Sequence, residues 1–184
     1  YLYGALLHCL AVNARWDEAL AVFDDFVQAD FESSPHIFSS LLHAATAREP
    51  AGGVPDESVV KERVAHVVRM LDEHGGEDVF NGRLLHAAVG GAAKAGCVDL
   101  AASLLADLAA KYGVGDDDAR GAKLALVRAL LEHTRGVEAV ALLDGMAPPT
   151  PPQATQLVLA AASGSHAQLA AMLDATLAQR LADS

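Results

Sequence analysis

Three histidines stand at one recurring place in the chain. His8, His43 and His86 each follow a Leu-Leu pair, so in a regular stack of repeats they line one face. Neighbouring repeats stand about one helix diameter apart, roughly 10 Å. Three imidazoles at that spacing cannot share a metal, whose bonds to nitrogen are about 2 Å. They read instead as polar residues at a recurring half-buried position, or as contacts for a phosphate or a stacked base. Asp116, Asp117 and Asp118 precede Gly121 in the manner of a calcium loop. Arg120 at the fifth place and Val127 at the twelfth, where a bidentate Glu is required, break that pattern. The three acids read better as the first turn of a helix, where carboxylates favour the dipole.

Arg120, Lys123, Arg128 and Arg135 form the one cationic cluster, and Arg83 occupies the equivalent helix of the preceding repeat. These residues could grip one or two phosphates, or form a solvated face paired with Asp116 to Asp118. Tyr1, Tyr3 and Phe38 could stack bases or fill the core. Cys9 and Cys97 lie in Ala/Leu-rich stretches, where a free Cys acts as a small apolar residue, and they imply no disulfide framework. A phosphate-binding Gly-rich loop ending in Gly-Lys-Ser/Thr, a Gly-x-Ser-x-Gly elbow, His-Glu-x-x-His and Cys-x-x-Cys are all missing. The chain reads as a non-enzyme without cofactor or metal.

The elements that must position these residues are helices. Of the 184 residues 52% are hydrophobic but only 5% aromatic, so the apolar content is Ala, Leu and Val, which lets helices approach closely. Charges or turn residues interrupt every apolar run before it can span a bilayer. The net charge of −11 opposes generic nucleic-acid binding, so any RNA contact must be local. The chain opens at Tyr1 in mid-pattern, as part of a longer protein would, with any targeting peptide out of view.

Tyr3-Gly-Ala-Leu-Leu-His returns as Phe38-Ser-Ser-Leu-Leu-His after 35 residues. The expected fold is all-α, an α-solenoid of about five antiparallel helix pairs forming one array over 1–184. The repeats run over about 1–34, 35–76, 77–115, 116–147 and 150–184. The first pair is Leu2 to Val12 and Trp16 to Gln28, turning at Asn13 and Ala14, with Ala19, Leu20, Phe23, Phe26 and Val27 on one face of the second helix. Ser34 is expected to cap the next helix, with Pro35 at its first position. A loop over 49–56 precedes a helix from Val59 to Glu73. Gly90 and Gly91 suggest a bend or a turn-length insertion in the third repeat, whose second helix starts near Lys94 and runs to about Tyr112. Arg120 to His133 and Val137 to Met146 form the fourth pair. Pro148, Pro149, Pro151 and Pro152 predict an extended connector over 147–152. The fifth pair is Gln153 to Ala162 and His166 to Leu181, joined at Ser163, Gly164 and Ser165.

Tyr3-Gly4-Ala5-Leu6-Leu7 followed by Ala14-Arg15-Trp16-Asp17-Glu18-Ala19-Leu20 and Phe23 resembles the pentatricopeptide-repeat consensus. Pieces return at Lys94-Ala-Gly-Cys-Val-Asp-Leu-Ala and at Glu138 to Met146. The resemblance implies a mitochondrial or other organellar protein that binds single-stranded RNA through its first helices or builds RNA–protein machines. In base-reading members, a polar residue after the first-helix aromatic pairs with the last residue of the repeat. Those places hold Gly4 with Ser34 in the first repeat, Ser39 in the second and Leu124 in the fourth. Gly4 and Leu124 offer no hydrogen bond to a base edge, which departs from the base-reading pattern. The expected role is a non-catalytic subunit of an organellar assembly, a mitochondrial ribosome or RNA-processing complex. It contacts mainly other protein subunits, touches RNA locally through Arg83, Arg120, Lys123, Arg128 and Ser39, and inserts into no membrane. The alternative is a tetratricopeptide-like protein scaffold without RNA.

Overall fold

A computed structural model of the chain describes residues 2–47, 56–75, 79–146 and 149–163. All regular structure among them is α-helical: α1 Leu2–Val12, α2 Trp16–Gln28, α3 Pro35–Thr46, α4 Glu57–His74, α5 Gly82–Ala95, α6 Val98–Tyr112, α7 Asp116–Glu132, α8 Gly136–Asp144 and α9 Pro151–Ser163. None of these helices is long and apolar enough to cross a membrane. The expected loop over 49–56 lies outside the described residues except for Asp56. The second helix expected from His166 to Leu181, its junction at Gly164 and Ser165, and Tyr1 lie outside them entirely.

The chain divides into two compact units, residues 1–122 and 123–184, with the division falling inside α7. In the first unit α1 packs on α3 and α3 on α5, while α2, α4 and α6 each pack on the helix that precedes them. Leu7, Phe38, Leu41, Leu84, Leu85 and Val89 are sealed in the row of α1, α3 and α5, and Phe23, Val60, Val64 and Val67 bury the inner faces of α2 and α4. Full burial of each such side chain contributes about 1.5–3 kcal/mol. In the second unit Val127, Leu131, Ala139, Leu143, Ala154, Leu157 and Ala161 are buried.

Three helix-to-helix turns share one form, and the same left-handed cap, without their two-residue link, ends α6 at Gly113, where φ is 63° and the Val114 N–H donates to Ala109 O at 3.0 Å. Between α1 and α2, Ala14 takes a left-handed φ of 55° and the Arg15 N–H donates to the Leu10 carbonyl at 2.9 Å. Between α5 and α6, Gly96 has φ of 91° and the Cys97 N–H donates to Ala92 O at 3.0 Å. Between α7 and α8, Thr134 has φ of 64° and the Arg135 N–H donates to Leu130 O at 2.8 Å. Each satisfies carbonyls at a helix end through a left-handed residue, in the manner of a Schellman cap. The next helix starts two residues later. Arg15 pairs with Glu18 and Arg135 with Glu138 in the first turn that follows. Glycine reaches that φ at no steric cost, whereas Ala14 and Thr134 hold it against an intrinsic penalty.

Caps and small residues explain the remaining boundaries. Asp56 accepts from the Ser58 N–H at 2.9 Å and its hydroxyl at 2.8 Å, and these bonds hold the Asp56 carboxyl below its ordinary pKa. Asn81 caps α5 by accepting from the N–H groups of Arg83 and Leu84. Ser34 precedes α3 with extended backbone but its hydroxyl makes no cap hydrogen bond, so Pro35 alone marks that start. The α5–α6 boundary falls at Gly96 and Cys97, later than Lys94, because Gly96 supplies the left-handed turn. Gly90 and Gly91 mark no inserted turn. Both are buried in an uninterrupted α5, and a Cβ on Gly91 would press into the Thr46 side chain, with Thr46 Cβ at 2.9 Å. The absent side chain of Gly91 lets α5 approach α3. Pro151 and Pro152 are not connector residues but the opening of α9, where a fixed φ and a missing N–H cost nothing.

Candidate functional site

Two surfaces of the first unit gather polar side chains from more than one helix. The first is the exposed side of the row α1, α3 and α5. His8, His43 and His86 all lie there, and each is exposed rather than half-buried. The Leu-Leu pairs before His43 and His86 are sunk in the core, and in α1 Leu7 is. Burial of the inner part of the His43 ring is the main cause that lowers its pKa from the ordinary histidine value; the charges of Lys94 and His8 lower it further. His8, His43 and Lys94 thus form one electrostatic group across three successive helices, a grouping that the Leu-Leu-His register announces for the histidines but not for Lys94. His86 lies under α7, where a Cβ on Gly121 would come within 3.4 Å of its Nδ1.

The expected phosphate-gripping residues are placed less compactly. Arg83 is exposed in the first turn of α5. A Cβ on the neighbouring Gly82 would collide with the Asp118 carbonyl, so this turn of α5 touches the first turns of α7, which carry Arg120. Lys123 and Arg128 follow on α7, in the second unit. Arg128 pairs with Glu132 at 2.9 Å and Arg135 with Glu138 at 2.6 Å. Ser39 is half-buried on α3. Of the aromatics, Phe38 is fully buried and packs against Phe23 at 5.7 Å between centroids, which removes it from any stacking surface. Tyr3 is half-buried, edge-on to Phe26 at 5.5 Å. Cys97 is buried at the α5–α6 turn and Cys9 is exposed; both are free.

The second surface is a groove between α2 and α4, about 350 Å³ in volume, which sequence reasoning missed. Its walls carry Asp24, Gln28, His66, Arg69, Glu73 and His74 over an apolar floor of Phe23, Val27 and Met70. His66 Nδ1 lies 3.2 Å from an Arg69 Nη and its ring stands edge-on to Trp16 at 6.3 Å. The Arg63 guanidinium lies over the Trp16 ring, 5.6 Å from its centroid. The lining offers acids, bases and one amide. Its chemistry suits holding a polar side chain of mixed charge.

A third polar group ties α4 to α6. Asp72 accepts from Lys111 Nζ and from the Tyr112 hydroxyl, both at 2.6 Å, and Tyr112 stacks on Phe80 at 4.1 Å. The Lys111 bond, then the Tyr112 bond, hold the Asp72 carboxyl low, and the same Asp72 contact raises Lys111. Burial, then Asp72, raises Tyr112. Among the described residues no three His, Cys, Asp or Glu side chains are grouped so that they could hold a metal. No protein-family model and no curated protein matches the chain.

Proposed function

We propose that the chain is a binding module without chemistry of its own: a solenoid of antiparallel helix pairs of pentatricopeptide type, serving as an architectural subunit of an organellar RNA–protein assembly. One observation carries the reading. The same helix-joining turn recurs at Ala14, Gly96 and Thr134, two of the three with an Arg–Glu pair behind it. Such recurrence is the mark of stacked repeats, which expose long continuous surfaces for partners. Protein supplies most contacts, because the net charge is −11 and Arg128 and Arg135 are already engaged by Glu132 and Glu138. RNA is touched locally through phosphates near Arg83 and Arg120, without base readout, since Gly4 and Leu124 stand at the readout places.

Ultraviolet crosslinking of the tagged protein in organelle lysate, with RNA sequencing and mass spectrometry of the same material, tests this. Crosslinks at Arg83, Arg120, Lys123 or Arg128 together with co-purifying subunits are the expected result. Protein partners without crosslinked RNA, at an affinity that hardly changes with salt, would establish the second reading, a protein scaffold of tetratricopeptide type. The engaged arginines favour that alternative.

A further inference from the structure

Charge is divided unevenly between the helices of the first unit. The chain holds 24 acidic residues against 13 Lys and Arg. No Asp or Glu occurs in α1, α3 or α5. The reverse holds in α2, which carries Asp17, Glu18, Asp24 and Asp25 and no base. On α3 the exposed side chains are His36 and His43, about two turns apart and so on one side of the helix. On α5 they are Arg83, His86 and Lys94, which fall within one arc at helical spacing. Every exposed side chain of these two neighbouring helices is therefore a base.

The five bases form a patch rather than a line. Helix α3 packs on α5. At a rise of about 1.5 Å per residue, His36 and His43 stand roughly 10 Å apart along α3, and Arg83 and Lys94 roughly 16 Å apart along α5. Burial, then the charges of Lys94 and His8, lower the pKa of His43. Among the described residues no charge of α2 or α4, the other helices packed on α3, acts on it. Like charges thus crowd this face, and no acid of its own row relieves them.

We infer that the exposed face of α3 and α5 docks an acidic segment of a partner protein, whose carboxylates meet Arg83, Lys94 and the imidazoles of His36, His43 and His86. Charge complementarity selects that occupant. RNA brings a charge at every phosphate and is held by fixed cations that release its counterions, and on this face only Arg83 and Lys94 are fixed cations. Two copies of the chain, each at −11, repel one another as wholes, whereas a short segment brings only the charge that the face takes up. Histidine gains charge as the pH falls from about 8 to about 5, while most carboxylates stay ionised. Mild acid therefore strengthens the contact. The inference rests on these five side chains and not on the RNA reading.

The probe is a fluorescein-labelled peptide of about ten glutamates, titrated at low salt into the full 184-residue chain and followed by anisotropy. Binding should tighten roughly tenfold between about pH 8 and about pH 6. Lys94→Gln should weaken it on the order of tenfold. In the double variant His36→Gln with His43→Gln, the pH dependence should largely disappear while binding at about pH 8 persists. Lys61→Gln, which removes an exposed base from α4, should change the affinity less than about twofold. The pH dependence of the unaltered chain decides the matter even where a variant fails to fold. Affinity that ignores pH, or that falls as much in Lys61→Gln as in Lys94→Gln, overturns the proposal. Tighter binding of a uridine RNA of the same length at the same salt also overturns it, since the occupant would then be nucleic acid. So does a dimer in sedimentation that Lys94→Gln makes monomeric, since the occupant would then be a second copy.

Discussion

The row of α1, α3 and α5 and the second helices α2, α4 and α6 are held by different physics. In the row, helices meet in close apolar contact: Gly91 admits Thr46, Ile37 faces Gly4, and Leu41 is sealed. Between the second helices the links are polar and aromatic at longer reach, through Trp16 with Arg63 and His66, and through Asp72 with Lys111 and Tyr112. Between α2 and α4 that leaves a groove. The row is therefore joined by close apolar packing, and the second layer by polar links at its surface above its own buried apolar residues.

The sharpest way to break this contrast is Leu41→Ala, which empties a sealed place in the row. Chemical denaturation should show a loss of about 2–5 kcal/mol. Leu6→Ala, at an exposed place on α1, should stay within about 0.5 kcal/mol. A smaller effect is expected from Gly91→Ala. The new methyl overpacks Thr46 at a cost of about 1–3 kcal/mol, while the better helix propensity of Ala returns roughly 1 kcal/mol. A double-mutant cycle with Thr46→Ala should recover part of the difference, since the clash is between those two side chains.

In the second layer, Asp72→Asn should cost only about 0.5 kcal/mol at low salt, because the Lys111 partner is largely exposed, and less as ionic strength rises. The smallest effect belongs to His43. Its pKa is lower in the folded chain than in the unfolded one, so the unfolded state binds the proton more readily. Stability is full above the unfolded value near 6.5 and falls as the pH drops below it. In His43→Gln that part of the acid sensitivity should disappear from denaturation curves taken between about pH 7 and pH 5.

Much of the local structure was legible because it depends on nearest neighbours. Leu2 to Val12, Asn13 and Ala14, then Trp16 to Gln28 could be bounded from apolar spacing alone, and Asp116 to Asp118 announced the first turn of α7. Positions with two competing roles were misread. Gly91 looked like a weak point in a helix, when it is the place where another helix approaches. Pro151 and Pro152 looked like a connector, when they open α9. Cys9 and Leu6 sit in a pattern that elsewhere is core, yet both are exposed. The Leu-Leu-His register found three exposed histidines, but Lys94, eight residues beyond the third, joined them only through packing.

By itself the sequence determined the helical period, the return of an aromatic-x-x-Leu-Leu-His motif after 35 residues and the excess of acid, since each is a property of order and composition along the chain. Tertiary structure alone decided which arc of each helix is covered, that Ala14 and Thr134 hold left-handed turns, and that Asp72 meets Lys111 and Tyr112 some forty residues away. Periodicity specifies that a helix has an apolar side. Which neighbour lies against that side is a contact between distant segments, and its energy exists only once both are in place.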